Sequence, residues 1–253
     1  MCADTPFIHD GEHLEPLGGG ISVIVSKENR FSTDTVLLAD FSQPKKHERA
    51  IEFGAGCGAI SLIWCRNISP RSVTSIEIQQ EAADMMTRSV KLNALEKKVN
   101  VINTDIKSLK GVIPFGKFDL CAMNPPYKIG GGGIVNSDDA KRIARHETKC
   151  TLDDITKAAS QVLRFGGRFC ICQRPERLAD VIMSMRGAGI EPKRLRLVQQ
   201  RAGKAPKFFL LEGRRGGSSG GLVVMPTLFI EDESGNFSQE MIDIYGDYKE
   251  GYI

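Results

Sequence analysis

The four residues at 124–127, Asn-Pro-Pro-Tyr, directly follow an apolar run at 118–123 and have the groups needed to hold a planar amine. The two prolines, Pro125 and Pro126, fix φ near about −65° and remove two backbone donors, so neighbouring carbonyls and the Asn124 amide oxygen are left as acceptors. Tyr127 adds an aromatic face on which a flat, nitrogen-bearing group can lie. Taken alone, the tetrapeptide also fits a proline-rich turn that ends a strand, and the upstream sequence has to decide between the two interpretations.

A glycine-rich turn lies seventy residues upstream. Residues 50–63 have the pattern of a short apolar strand, a Gly-x-Gly-x-Gly turn at Gly54, Gly56 and Gly58, and an apolar helix start. Glycines tolerate positive φ and carry no Cβ, so a cofactor can contact the main chain of the turn and the helix N-terminus behind it. The spacing differs from the dinucleotide pattern Gly-x-Gly-x-x-Gly, and Glu52 would repel a pyrophosphate but attract an ammonium group. The turn therefore indicates a cationic cofactor that carries an amino acid.

Acidic residues follow the next two predicted strands. The strand at 72–77 ends in Glu77, about twenty residues past the glycines, where a carboxylate can accept both hydroxyls of a ribose. Ile78 can cover one face of an adenine ring, and Asp105, after the strand at 99–103, can accept from the exocyclic amine of that adenine. Each acid alone is more often a solvated carboxylate. Together with Glu52 and the glycine turn, they favour a nucleoside-bearing cofactor.

Strands and helices alternate through the middle of the chain. Strands are predicted at 72–77, 99–103, 118–123 and 166–172, and helices from the glycine turn to Trp64, at 79–95 and from a capping signal at Thr151 to about 163. Such alternation requires right-handed crossovers and a mostly parallel sheet with helices on both faces. Ligands of such sheets bind at the carboxyl ends of the strands, where the residues above lie. Further β-like runs at 194–200, 207–211 and 222–230 predict an antiparallel hairpin at one edge, with the loop 214–221 between two of the strands.

The order of glycine turn, ribose acid, adenine acid and Asn-Pro-Pro-Tyr resembles the S-adenosylmethionine-dependent N6-adenine methyltransferases. Three further segments are similar to bacterial enzymes that methylate adenine 37 of valine tRNA: Phe-Ser-Thr-Asp-Thr at 31–35, Ala-Arg-His at 144–146, and the closing run at 228–246, which is similar to their Gram-positive members. The resemblance covers about residues 12–246.

This resemblance implies a fold, a domain organisation and a cofactor. The fold is α/β, a Rossmann-like class I methyltransferase with a seven-stranded, mostly parallel sheet, an antiparallel C-terminal hairpin and helices on both faces. Residues 1–45 would complete the cofactor site and 46–253 would form the methyltransferase domain, in one globular unit. The cofactor would be S-adenosylmethionine. Its implied binding residues are Thr33, Asp34, Glu52, Gly54, Gly56, Gly58, Glu77, Ile78, Asp105, Ile106 and Asn124, of which Thr33 and Asp34 come from the resemblance alone.

The implied reaction is transfer of a methyl group to the exocyclic N6 of an adenine in tRNA, with adenine 37 of valine tRNA as the target. Asn124, Pro125, Pro126 and Tyr127 would form the catalytic site. Two alternatives stay open. Enzymes that methylate a glutamine of release factors share the Asn-Pro-Pro-Tyr motif, although they usually carry a separate helical N-terminal domain. The other alternative is a non-catalytic RNA-binding or S-adenosylmethionine-binding protein on the same fold.

The distribution of charge is relevant to which molecule accepts the methyl group. The formal net charge is only +3, but the stretch 190–215 holds eight Lys or Arg against two acids, and a second basic cluster lies at 141–149. Basic clusters beside a nucleotide site can contact flanking phosphates, although a solvated basic face explains the stretch 190–215 equally well. The expected RNA-binding residues are Arg142, Arg145, His146, Lys204 and Lys207. The glycine-rich segment 128–136 fits a lid over the nucleotide or a surface loop.

Composition favours a cytoplasmic protein. The chain of 253 residues shows no basic-then-apolar N-terminal segment and no apolar run of membrane-spanning length. Its seven cysteines include no Cys-x-x-Cys pair, which favours small buried hydrophobes in a reducing compartment over zinc ligands. We expect no metal site, no membrane association and no obligate protein partner, and a monomer that has tRNA as its partner.

Overall fold

The computed structural model describes residues 7–67, 69–125 and 150–249. The strands, numbered in chain order, are β1 (Glu12–Gly18), β2 (Ile21–Ser26), β3 (Arg49–Phe53), β4 (Ser72–Glu77), β5 (Val99–Asn103), β6 (Phe118–Met123), β7 (Leu163–Gln173), β8 (Ile190–Gln199), β9 (Pro206–Arg215), β10 (Val223–Val224) and β11 (Leu228–Phe229). The α-helices are α1 (Thr33–Ser42), α2 (Ala59–Asn67), α3 (Gln80–Leu92), α4 (Leu152–Val162), α5 (Leu178–Gly187) and α6 (Gln239–Tyr245). Short 3₁₀ helices lie at Ile106–Ser108, Pro175–Arg177 and Gly246–Lys249.

The main sheet has the strand order β5-β4-β3-β6-β7-β9-β8, with β10 and β11 both paired to β8. Strands β5, β4, β3, β6 and β7 are parallel to one another, whereas β9 is antiparallel to both β7 and β8. The predicted α/β class, the mostly parallel sheet and an antiparallel C-terminal pair are therefore confirmed.

The C-terminal part of the sheet departs from the prediction in two ways. The sheet has nine described strands instead of seven, and the run at 222–230 forms two short strands that are parallel to β8 instead of one arm of a hairpin. Both edges of β9 are already occupied by β7 and β8, so the chain after β9 can pair only at the outer edge of β8. A strand that reverses direction after β9 must run parallel to β8, because β8 and β9 are antiparallel.

Local sequence signals explain the elements around the site. The predicted bounds of β4, β5 and β6 are those of the structure. Thr151 and Asp154 form a reciprocal capping box that begins α4, as the sequence predicted. Met85 and Met86 of α3 are buried in the core.

The two faces of the sheet build separate hydrophobic clusters, because successive side chains of a strand point to opposite faces. Ala50 of β3 faces the cluster beneath α1, α2 and α3, while its neighbour Ile51 faces the cluster beneath α4 and α5. Five of the six described cysteines are buried and none of the six forms a disulfide, in agreement with the prediction for this part of the chain. In the described ranges, no helix has the length and apolar character needed to cross a bilayer.

The N-terminal segment forms an antiparallel hairpin, β1 and β2, followed by α1. The hairpin is attached to α3 by side-chain bonds to strand β2: the Ile24 N–H donates to Ser89 Oγ at 2.9 Å, and the Ser22 N–H donates to Asn93 Oδ1 at 2.9 Å. Helix α1 is attached to α2, since Trp64 Nε1 donates to the Ala39 carbonyl at 3.2 Å. These contacts fix the position of the α1 N-terminus relative to the sheet.

Candidate active site

Parallel strand ends meet at one edge of the sheet and carry most of the predicted site residues. Phe53, the last residue of β3, is in register with Met123 of β6 on one side and with Ile76 of β4 on the other. Adjacent strands are about 4.8 Å apart, so the turn after β3 lies between Asn124 and Glu77. The fold thus brings together, within a few strand widths, the residues that the sequence pattern selected.

The glycine turn has two glycines on its open side and one behind it. Gly54, Gly56 and Gly58 all have positive φ, of 62°, 54° and 88°. A Cβ on Gly56 would meet no atom within 4 Å, so this position needs glycine for its backbone conformation and leaves space in front of it. A Cβ on Gly58 would lie 2.6 Å from the Met86 side chain. Gly58 is therefore a packing position against α3, while Gly54 and Gly56 face outward.

The carboxylate of Glu77 is held at the end of β4 by two backbone N–H groups. Its Oε2 accepts from Gly56 N and its Oε1 from Gln79 N, both at 2.8 Å. Each carboxylate oxygen has two lone pairs, so each keeps acceptor capacity for a further donor. The position and the remaining acceptors fit the two hydroxyls of a ribose.

Glu52 is buried beside the first turn of α2. Its Oε2 accepts from the Ser61 N–H at 3.0 Å and from the Ser61 hydroxyl, which in turn contacts Ser75 Oγ at 2.8 Å. Burial raises the pKa of the Glu52 carboxyl to about 8, and the nearby Glu77 charge acts in the same direction. Without a cation nearby, Glu52 is therefore largely protonated at neutral pH. An ammonium group at this point would favour the carboxylate.

The start of α1 lies against the end of β6. Asn124 Nδ2 donates to Thr35 Oγ1 at 3.1 Å, across 89 residues of sequence. Asp34 is buried and turned back on the helix start, where its carboxylate accepts from the Ser32 hydroxyl and from the Thr35 N–H. Thr33 Oγ1 accepts a long bond of 3.4 Å from the Tyr245 hydroxyl of α6. The segment 31–35 therefore borders the Asn-Pro turn directly.

The expected adenine-binding residues differ in exposure. Ile78 is 47% exposed, which leaves apolar surface for a ring to cover. The Asp105 side chain is 32% exposed; its Oδ1 accepts from the Lys107 N–H at 2.9 Å and its Oδ2 lies 3.8 Å from Lys107 Nζ. Ile106 is buried and packs in the core cluster below. Ile78 and Asp105 are therefore accessible to a ligand, while Ile106 supports the loop from beneath.

Basic residues of the stretch 190–215 are divided between different parts of the sheet. Because β8 runs parallel to β6, the loop from β8 to β9 lies at the same sheet edge as Asn124. Lys204 is exposed in this loop, and Lys207 is exposed at the start of β9. Arg214 and Arg215 end β9 at the opposite edge. Arg194, in the middle of β8, pairs with the buried Glu212 at 3.0 Å. The stretch is thus not one continuous basic face, and Lys204 and Lys207 lie at the same sheet edge as the site.

Pro126 and Tyr127 of the proposed catalytic turn, and Arg142, Arg145 and His146 of the proposed RNA-binding set, lie outside the described residues, as does the glycine-rich segment 128–136. Pro125 is described and buried.

A groove of about 840 Å³ lies elsewhere, between α4 and α5, and is lined by residues such as Asp153, Lys157, Arg177 and Met183. None of the predicted site residues that the structure describes lines it. We therefore define the candidate site by the predicted side chains at the sheet edge and not by the groove between α4 and α5.

Sequence reasoning missed two contacts of the site, those made by Thr35 and Tyr245. Thr35 belongs to the segment 31–35, but its partner Asn124 is distant in sequence. Tyr245 lies in α6 and reaches Thr33 from the other end of the chain. No local pattern marks such pairs, because only the assembled sheet brings them together.

Solved structures with the same architecture include methyltransferases. A predicted O-methyltransferase from Agrobacterium tumefaciens matches with a TM-score of 0.70 and 22% identity, over 85% of this chain and 97% of that chain. The structure of P. horikoshii TYW2 in complex with MeSAdo matches with a TM-score of 0.57 and 15% identity, over 83% of this chain and 73% of that chain. The fold is thus that of the methyltransferases.

The family model described as methyltransferase small domain matches residues 23–185, more than half of the chain. The chain belongs to the methyltransferase small-domain family, and the expected enzyme class is confirmed. Relatives named tRNA1(Val) (adenine(37)-N6)-methyltransferase include one from Porphyromonas gingivalis, 26% identical over 84% of this chain and 86% of its own length. Another, from Yersinia pseudotuberculosis, is 26% identical over 88% of this chain and 86% of its own length.

Proposed function

We propose that this protein transfers a methyl group from S-adenosylmethionine to the exocyclic N6 of an adenine in tRNA, with adenine 37 of valine tRNA as the expected target. The observation that carries the proposal is the position of Asn124. It follows β6 directly, lies next to the glycine turn and has its amide bonded to Thr35. The family and the names of the relatives support the same reaction.

The donor site fits S-adenosylmethionine on the observations of this chain. Gly56 leaves open space, Glu77 keeps acceptor capacity and Ile78 exposes apolar surface at the same sheet edge. The residues proposed to contact the donor are Thr33, Asp34, Glu52, Gly54, Gly56, Glu77, Ile78, Asp105 and Asn124, while Gly58 and Ile106 of the predicted set support the site by packing behind it. When bound, the donor supplies an electrophilic methyl group on a sulfonium. Glu77 would accept the ribose hydroxyls, Asp105 the adenine amine, and Glu52 would face the ammonium.

The lone pair on the acceptor nitrogen is delocalised into the purine ring. It must be freed from the ring before the nitrogen can attack the methyl group. In the proposed site the Asn124 Oδ1 and the Pro125 carbonyl accept the two amine hydrogens, which turns the lone pair out of the ring plane. These acceptors also favour the positive charge that develops on nitrogen, so they stabilise the transition state more than the bound substrate. The proton can leave to water afterwards, and no side chain has to act as a general base.

A tRNA base has to leave its stack to reach this turn. Stacking on Tyr127 would compensate for the stacking given up in the RNA, worth about 1–3 kcal/mol per base. Lys204 and Lys207 lie at the edge from which the RNA would approach, and we assign them, with Arg142, Arg145 and His146, to contacts with phosphates. With tRNA as the substrate, we propose that the protein acts in the cytoplasm and as a monomer.

The proposal is tested by giving purified protein and methyl-labelled S-adenosylmethionine the choice between unmodified bulk tRNA and a release factor. We expect label in tRNA and none in the release factor. Label in the release factor would favour glutamine methylation, and label in neither, with the cofactor bound, would favour a non-catalytic binding protein. Either result would contradict the proposed function.

A further inference from the structure

Thr35 accepts a hydrogen bond from the Asn124 side-chain amide. Asn124 Nδ2 lies 3.1 Å from Thr35 Oγ1, and the contact joins the first turn of α1 to the end of β6. The sequence assigns chemistry to Thr33 and Asp34 of this segment and none to Thr35. The hydroxyl of Thr35 is thus the feature of the site that the proposed mechanism has not used.

The orientation of the Asn124 amide decides whether it can bind an amine. A carboxamide presents two N–H donors on one side and a carbonyl oxygen on the other. If the amide were turned by half a rotation, its NH₂ group would face the NH₂ group of the acceptor, and no hydrogen bond could form. Donation from Nδ2 to Thr35 directs the NH₂ group toward α1, which leaves Oδ1 on the remaining side of the amide.

Thr35 is itself held in place. Its backbone N–H donates to the Ser32 carbonyl at 3.0 Å and to Asp34 Oδ1 at 2.8 Å. A β-branched side chain in a helix has restricted χ1 freedom, so the hydroxyl has few positions available. The helix that carries Thr35 is attached to α2 through Trp64 and Ala39. The hydroxyl is therefore held in position near the Asn-Pro turn.

We propose that Thr35 is a positioning residue for methyl transfer, because its hydroxyl accepts the Asn124 side-chain N–H and so orients Oδ1 toward the acceptor amine. The inference rests on the proposed function. Thr35 needs no contact with tRNA or cofactor, and its effect on the rate is exerted through Asn124.

The first test compares Thr35→Val, which removes the hydroxyl at nearly constant shape, with Thr35→Ser, which keeps it. Thr35→Val should lower kcat about 10- to 100-fold with little change in the KM for tRNA or for S-adenosylmethionine, because misoriented groups cost rate more than binding. Thr35→Ser should restore kcat to within about threefold of the wild type. Thr87→Val is the matched control, since the Thr87 hydroxyl bonds within α3 to the Ala83 carbonyl at 2.7 Å; its kcat should not change.

A double-mutant cycle distinguishes positioning from an independent effect. The variant Thr35→Val/Asn124→Ala should have the same kcat as Asn124→Ala alone, because no amide is left to orient. Multiplicative losses in the double variant would overturn the positioning role, and so would a raised KM with unchanged kcat. Melting curves identify any variant that does not fold, and Thr35→Ala replaces Thr35→Val in that case.

The activity of the wild-type protein shows whether a negative result overturns only the positioning role of Thr35 or the proposed function as well. If wild-type protein forms N6-methyladenosine in tRNA and Thr35→Val retains the full kcat, only the positioning role is overturned. If wild-type protein forms no N6-methyladenosine in tRNA, the proposed function is overturned as well.

Discussion

The Glu77 carboxylate is bonded directly to the glycine turn, through a hydrogen bond of 2.8 Å from Gly56 N to Glu77 Oε2. A second bond, from Gln79 N to Oε1, holds the other carboxylate oxygen at 2.8 Å. The side chain proposed to bind the ribose thus also fixes the turn that faces the rest of the donor. Donor binding and local stability should depend on the same carboxylate.

We predict that Glu77→Gln weakens binding of S-adenosylhomocysteine at least tenfold. The glutamine NH₂ would face one of the two backbone donors, and the unsatisfied group should lower the free energy of unfolding by about 1–3 kcal/mol. Isothermal titration calorimetry and urea denaturation measure the two effects. Glu81→Gln, at an exposed position on α3, is the matched control and should change neither. Unchanged affinity in Glu77→Gln would remove Glu77 from the donor site.

Gly56 and Gly58 should respond differently to alanine. Both have positive φ, which costs a non-glycine residue about 1–2 kcal/mol. Gly58→Ala carries an additional cost because its Cβ would lie 2.6 Å from the Met86 side chain. We predict that Gly58→Ala lowers the free energy of unfolding more, while Gly56→Ala has the larger effect on S-adenosylhomocysteine affinity. The reverse order in urea denaturation and calorimetry would contradict this division of roles.

The raised pKa of Glu52 predicts that stability falls as the pH rises. Its ordinary value is 4.5 and burial raises the pKa to about 8. Between these values the unfolded chain loses the Glu52 proton while the folded chain keeps it, so the free energy of unfolding decreases with rising pH. Glu52→Gln should remove this component from melting temperatures measured across the same range. Identical pH profiles for wild type and Glu52→Gln would show that Glu52 is not the responsible group.

The same carboxyl predicts a pH effect on donor binding. S-Adenosylhomocysteine keeps the ammonium group, and an ammonium beside Glu52 would favour the carboxylate and lower its pKa. The wild-type affinity should therefore increase as the pH rises toward about 8. In Glu52→Gln this dependence should be absent from calorimetric titrations. A slope that persists in the variant would place the ammonium elsewhere.

Lys204 and Lys207 should contribute to tRNA binding through phosphate contacts. We predict that Lys204→Ala/Lys207→Ala raises the KM for tRNA and reduces the slope of log affinity against log salt by about one for each phosphate that the variant no longer neutralises. The kcat should stay near the wild-type value. Lys117→Ala is the matched control, because Lys117 is exposed just before β6, at the sheet edge away from Asn124. An equal effect in the control would indicate a general charge effect.

The sequence predicted the elements whose signals are local. Strands β4 and β5 are short segments rich in β-branched residues, and β6 is a short apolar run. Thr151 with Asp154 forms a capping signal within four residues. Their ends define the site, which is why Glu77 and Asn124 could be selected and why both lie at the predicted sheet edge.

Contacts between distant segments could not be predicted. The bond between Asn124 and Thr35 depends on how α1 packs over the sheet, and the parallel pairing of β10 with β8 depends on which sheet edge is still free after β9 has paired. The buried environment of Glu52 likewise arises from Ser61 and Ser75 in other elements. These features are set by tertiary packing, for which the local sequence carries no separate signal.

The most direct test of the central claim is mass spectrometry of nucleosides and nuclease fragments from valine tRNA incubated with the protein and S-adenosylmethionine. The Asn124 site predicts a new N6-methyladenosine at adenine 37, and no product on a transcript in which guanine replaces that adenine. Methylation of another atom or another base, or an unmodified tRNA with the donor bound, would contradict the account.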